Sequence, residues 1–162
     1  MSAPAERGGG TGGGSVGGGV GASSGRFLVV RAGGERYGLD LAAVREVVDT
    51  TPPRAVPARL AAVRGVMPLR ERFYTLVHLG ALIAGGAPSG GVAETAVITD
   101  LGGTAVALEV DDVEAVVEHG ATLVGGGAGG GITEVWRVGG ELVSVLDLAV
   151  LAGRLSETGA EA

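Results

Sequence analysis

The apolar positions of this chain fall in short runs, and the first two kinds of run occur twice. RFLVVRAGG and TAVITDLGG are each rich in β-branched residues and close on a Gly-Gly pair that permits positive φ, and each is followed by another short strand, ERYGLD in one case and TAVALEV in the other. This is a hairpin signal, given twice. Next, Leu41, Val44, Val47 and Val48 fit one face of a helix, while Val44, Glu46 and Val48 also alternate as a strand would, so periodicity leaves this segment open. Pro52, Pro53 and Pro57 then forbid a central strand. Val63 to Met67 and Phe73 to Val77 read as a second hairpin around LRER, mirrored by Ile132 to Val138 and Glu141 to Leu146 around Gly139-Gly140. LGALIAG and LAVLAGRL follow as short apolar helices.

The recurrence has a fixed period. GGERYGLDLAAVREVV starts at Gly33 and GGTAVALEVDDVEAVV at Gly102, 69 residues later, and Tyr74 and Val143 open matching segments at the same spacing. Two units of this size, each too small to bury much core alone, must bury their apolar faces against each other. The predicted class is mainly β, as paired small barrels with short helices. The expected organisation is a glycine-rich arm over 1–25, one compact domain over 26–155 with lobes of about 26–85 and 92–155, and a tail over 156–162.

Composition narrows the functions. The 162 residues carry a formal net charge of −6, which argues against nucleic acid as a partner, because phosphates call for a basic stripe. No apolar run reaches membrane-spanning length, and MSAPAERGGG lacks the basic start and apolar core of a secretory leader, so no membrane insertion and a cytoplasmic location are expected. The absence of cysteine removes disulfides, thiolate nucleophiles and cysteine metal sites together. All twelve basic residues are arginine and there is no Lys, Asn or Gln, so an Arg is not special merely for not being Lys. In the arm, Gly12, Gly14 and Gly17 satisfy G-x-G-x-x-G, but neither a strand nor a helix flanks them, and the dinucleotide reading fails on context. Gly85 to Gly91 and Gly125 to Gly131 read as connecting loops.

Few residues suggest chemistry. Asp111, Asp112, Glu114 and Glu118 form an acidic run, but acid and base work needs two carboxylates facing one sheltered cleft, and a solvated face is the expectation. His78 and His119 lie in different units without a metal-ligand spacing, so no metal is expected, and His78 reads as a partly buried packing residue. Met67 and Trp136, 69 residues apart, both read as core. Ser144 lacks a G-x-S-x-G elbow, and no enzyme activity or cofactor is predicted.

The order YGLDLAAVREVV, RGVMPLRERFYTLVHL, AVITDLGGTAVALEVDDVEAVVE and LVSVLDLAVL resembles the CheW family of bacterial chemotaxis adaptors, over about Arg26 to Leu155. The resemblance implies two five-stranded SH3-like barrels sharing a core, with Val44 to Val47 a helical turn passing into a strand. It also implies a noncatalytic scaffold that bridges the cytoplasmic tip of a chemoreceptor to the regulatory domain of a CheA-type histidine kinase. By the same resemblance Glu46 and Arg70 are polar receptor contacts on the first unit, with Val44 beside them in the groove between units, and the kinase surface lies on end strands of the first barrel. The family's Gly-x-x-Asn-Leu-Arg-Gly segment, followed by Pro and then Asp-Leu, is kept at Gly65, Leu69, Arg70 and Leu79. Pro68, Glu71, Thr75 and His78 replace its Asn, Gly, Pro and Asp, which implies an intact fold with a drifted receptor-facing hairpin.

An alternative of another class is a sensory module that holds a small ligand in the same groove, without receptor coupling. A hydrolase ranks below both.

Overall fold

The structure, a computed structural model, describes residues 25–118 and 121–157. The glycine-rich arm (except Gly25), His119 and the end of the chain after Glu157 lie outside the described residues. The first hairpin is β1 (Phe27–Ala32) and β2 (Glu35–Asp40), and a 3-10 turn (Leu41–Ala43) leads into β3 (Val44–Asp49). Beyond the prolines come β4 (Val63–Leu69), β5 (Arg72–His78) and α1 (Leu79–Ala84). The second half repeats the series as β6 (Thr95–Leu101), β7 (Thr104–Val110) and β8 (Asp112–Val117), then adds β9 (Thr122–Gly129) before β10 (Ile132–Val138), β11 (Glu141–Leu146) and α2 (Leu148–Glu157). The open segment after β2 resolves by position. The Asp40 carboxylate accepts from the Ala42 amide at 3.0 Å and holds the turn over Leu41–Ala43, so the alternating residues from Val44 onward are strand.

One sheet has the order β8-β1-β2-β11-β10-β9 and the other β3-β6-β7-β5-β4. The architecture is mainly β as expected, but the sheets hold six and five strands, and they do not follow the chain halves 26–85 and 92–155. Each half lends its first hairpin to the sheet built by the other. The connection after that hairpin explains why. Asp40 sits opposite Phe27 on β1, and on the far side of β1 the residue opposite Val30 is Val113, the repeat equivalent of Val44. For β3 to stay with its own hairpin, the chain would have to cross β1 over about 14 Å, given strand spacings of about 4.8 Å and a rise of about 3.3 Å per residue. The four steps from Asp40 to Val44, wound as a 3-10 turn, advance only about 8 Å. In the second half only Asp111 separates β7 from β8. Neither half can keep its own hairpin.

The exchanged hairpins lie between two packed layers, which is why their first strands, β1 and β6, read as continuous apolar runs and do not alternate. Phe27 and Val29 pack with Val117, Val143 and Val145 inside the six-stranded sheet, while Leu28 and Val30 turn the other way into a central cluster with Val77, Val97, Leu108 and Leu151. Likewise Ala96 and Ile98 face Met67 and Leu76 within the five-stranded sheet, while Val97 faces the centre. Both helices seal the central cluster, through Leu79, Leu82 and Leu151. Each of these leucines contributes about 1.5–3 kcal/mol by burial.

The halves differ after their third strands. The stretch Gly125 to Gly131, expected as a loop, is mostly strand: β9 pairs with β10 as the edge of the larger sheet. Its glycines permit this, since a Cβ on Gly127 would lie 2.0 Å from the Ile132 carbonyl oxygen. The corresponding stretch of the first half is blocked by its prolines and forms a single bridge, Arg54 to Val66. That bridge in turn requires Gly65, where a Cβ would meet the Arg54 carbonyl oxygen at 2.2 Å.

One buried charge joins the halves. Glu109 on β7 is 2 % exposed and accepts from Arg64 Nε at 2.8 Å, Arg64 Nη2 at 3.1 Å and the Ala93 amide at 2.7 Å. Arg64 also donates to the carbonyls of Gly90 and Gly91, which fastens the connection between the halves to β4. Removing one partner strands the other in a dry site. Arg64→Met should therefore destabilise the fold by about 3–5 kcal/mol in denaturant melts, and Arg64→Met with Glu109→Leu should recover much of the loss.

Candidate functional site

Strand β3 docks on β6 with an irregularity that sorts the site residues. Val44 pairs with Thr99 and Glu46 with Ile98, so Arg45 is an extra residue in the ladder. Cross-strand partners share a face, and Thr99 and Ile98, as neighbours on one strand, face opposite ways. Val44 therefore turns inward and packs on the central cluster, while Glu46 turns to the other face with Ile98. Of the three residues expected together, the structure joins Glu46 and Arg70 and separates Val44 from them. The reason is the bulge at Arg45, which an alternating pattern in the sequence does not reveal.

Arg70 sits at the tip of the β4–β5 hairpin at φ 57°, the one non-glycine residue with positive φ among the described residues. The equivalent turn in the second half, Gly139-Gly140, has positive φ at both positions, at 56° and 84°. In the turn of the first half only Arg70 adopts positive φ, and Glu71 does not. This conformation is costly for a side chain and persists where the surroundings hold it. Arg70 is held by Glu46: Nη1 and Nη2 donate to the two carboxylate oxygens at 2.9 and 2.8 Å, a bidentate fork. Because β3 and β4 are the two edges of the five-stranded sheet, this pair draws its free edges together, helped by Thr51 Oγ1 donating to the Pro68 carbonyl at 2.6 Å. The pair lines a surface depression of about 530 Å³ with Arg45, Leu69, Tyr74 and Ile98. The Arg70 hydrogen bonds hold the Glu46 carboxyl below its ordinary value of 4.5 and raise the Arg70 guanidinium.

Other expected features take different roles. His78 is not mainly a packing residue. Its Nδ1 accepts from the Ala81 amide at 3.0 Å and caps α1, the task that Asp147 performs for α2 by accepting from Ala149 and Val150. The acidic run is exposed, as expected, but carboxylates within it are also engaged. Glu114 accepts from Arg31 at 3.0 Å and from Arg36 at 2.6 Å, Glu118 pairs with Arg26, and Asp111 accepts from the Gly33 amide at 2.9 Å. These carboxylates tie β8 to the first hairpin, a use that sequence spacing gives no sign of because their partners lie about 80 residues away. Met67 is fully buried, whereas Trp136 is only partly so, its ring 5.9 Å from Phe27 and its indole N–H donated to Glu134. Among the described residues no three His, Asp or Glu side chains gather as metal ligands, and no helix is long and apolar enough to cross a membrane.

A second depression of about 480 Å³ lies between β5, the β6–β7 hairpin and α2, lined by Phe73, Thr75, Leu101, Val106 and Leu155, and Phe73 is 63 % exposed there.

The chain is thus a duplicated, mainly β body whose halves exchange hairpins, with a charged depression at one sheet edge. The sequence profile of the CheW-like domain matches residues 26–156, and the chain belongs to the CheW family of chemotaxis scaffold proteins. The crystal structure of the scaffolding protein TtCheW from Thermoanaerobacter tengcongensis is similar in fold, with a TM-score of 0.67 at 19% identity, covering 78% of this chain and 90% of that one. No curated protein matches the chain.

Two outcomes follow from the site. A carboxyl whose folded value is depressed stabilises the fold above its unfolded value and loses that contribution as pH falls through the folded one. Glu46→Gln should therefore melt below the parent at pH 7, and thermal melts in steps down to about pH 3 should show the gap closing once the pH passes below the ordinary carboxylate range. His78→Asp should restore an anionic cap on α1 and raise stability by up to about 1 kcal/mol at pH 7, read from urea midpoints.

Proposed function

We propose that this protein is a noncatalytic adaptor that couples chemoreceptors to a CheA-type histidine kinase in a chemotaxis or chemotaxis-like pathway. The observation that carries the proposal is the Glu46–Arg70 fork, displayed on the surface at an edge of the five-stranded sheet. Arg70 has five N–H donors and commits two of them to Glu46, so the remainder face outward, suited to a carboxylate or to helix-terminal carbonyls of a receptor tip. Glu46 fixes that guanidinium in one orientation before any partner arrives, which lowers the ordering cost of binding. Val44 contributes from beneath by seating β3 on the central cluster.

The charged lining favours a protein partner over a small ligand, whose pockets are mostly apolar with a few polar groups. Of the acidic run, Glu114 and Glu118 are occupied by arginines along the strands. A cytoplasmic setting accords with this role. Affinity for each partner alone is expected near micromolar, with assembly gaining from multivalency.

Arg70→Glu should weaken binding to a receptor cytoplasmic fragment at least tenfold by calorimetry, while the melting temperature falls by no more than about 8 °C through loss of the Glu46 fork and binding to the kinase regulatory domain is retained. Unchanged receptor affinity in a folded variant would remove Arg70 from the interface. A rise in melting temperature with a metabolite, and no association with either protein, would favour the sensory-module alternative.

A further inference from the structure

The two halves carry opposite charge. Residues 26–84 hold nine arginines and five acidic residues, whereas residues 92–157 hold two arginines and eleven acidic residues. The overall value of −6 conceals this division. It is read out at the joints between the halves, where quasi-equivalent positions are occupied by opposite charges.

Arg31 on β1 pairs with Glu114 on β8 at 3.0 Å. Sixty-nine residues on from Arg31 is Asp100, sixty-nine back from Glu114 is Arg45, and these two pair at 2.7 Å across β6 and β3. The same contact is thus made twice with its polarity reversed. The backbone agrees, since Glu114 and Arg45 are the extra residues in the two irregular ladders, each reaching back to the charge on its neighbour strand. Arg36 extends the pattern with Glu114 and Glu141.

We infer that this reversed pair, with the charge division behind it, selects association of unlike halves over association of like ones. Hairpin exchange makes the selection necessary. Every half must take its neighbouring strands from another half, and during folding the halves of two chains are close substitutes in shape. Joining two first halves would set Arg31 against Arg45 and Arg36 against both Arg45 and Arg72. Joining two second halves would set Asp100 against Glu114 and leave the buried Glu109 facing Thr133 in place of Arg64. Not every position discriminates: in a pair of first halves Arg26 would meet Asp49 and Arg64 would meet Asp40. The like-half combinations therefore fail at the 31/114 and 45/100 contacts, and for the second half at Glu109, and the net charges add long-range repulsion.

Reversing one contact tests this without deleting it. In the full chain, Arg45→Asp with Asp100→Arg keeps both ion pairs between unlike halves. In like-half pairs, however, it sets Arg31 against an acid at position 45 and Glu114 against a base at position 100, and both contacts become attractive. The expected result is a melting temperature within about 4 °C of the parent, with an associated fraction after refolding, measured by light scattering on size-exclusion peaks from about 1 to 100 µM, raised about fivefold or more. Arg45→Gln with Asp100→Asn, which removes the contact, should fall between parent and reversed chain. Raising the salt to about 0.5 M should shrink the differences among the three. Equal association of all three chains at every concentration, or more association for the neutral pair than for the reversed one, would overturn the inference. If the reversed chain fails to refold, the neutral pair still decides by its excess over the parent.

Discussion

The short link between the second and third strands of each repeat is the constraint on which the rest depends. A hairpin followed by three residues, or by one, cannot return across its own first strand, so each half must place its hairpin in the other's sheet. From this come the apolar runs buried on both faces, the central cluster that neither half could build alone, and the docking of β3 beside β6 that presents Glu46. The halves are interlocked rather than stacked.

Where the two halves coincide, the residues are apolar and serve the core; where they diverge, the chemistry is found. Arg70-Glu71 stands opposite Gly139-Gly140, Glu46 opposite Ala115, His78 opposite Asp147, and the proline stretch opposite β9. The first member of each pair belongs to the half that carries the charged depression. A duplicated fold allows this, since one copy of a turn can keep the relaxed glycines while the other accepts a strained arginine held by a partner.

Electrostatics follows the same division. The Glu109–Arg64 pair is demanding because the buried carboxylate has no water to fall back on, and it holds the connection between halves to a fixed course. The surface pairs are individually weak. Their arrangement by half gives them meaning, as does the use of the Glu46–Arg70 fork to draw two sheet edges together while leaving donors exposed.

The repeat, the strand pairs closed by glycines and the β class were legible in the sequence because they depend on local period and on residues that recur at one spacing, and the order of its motifs carried the resemblance to the family and, through it, the expectation of Glu46 and Arg70. The sequence left the segment after β2 undecided between helix and strand, read the glycines of β9 as a loop, took His78 for packing, gave no sign of the arginines that pair with the acidic run, and set Val44 beside Glu46. Tertiary structure decided each of these. Whether glycines lie in a strand depends on how closely another backbone approaches. A bulge that turns Val44 inward depends on the neighbouring strand, and the partners of Glu114 and Glu109 come from strands far away in the chain. Which hairpin joins which sheet was decided in three dimensions too, by the distance a short turn can span.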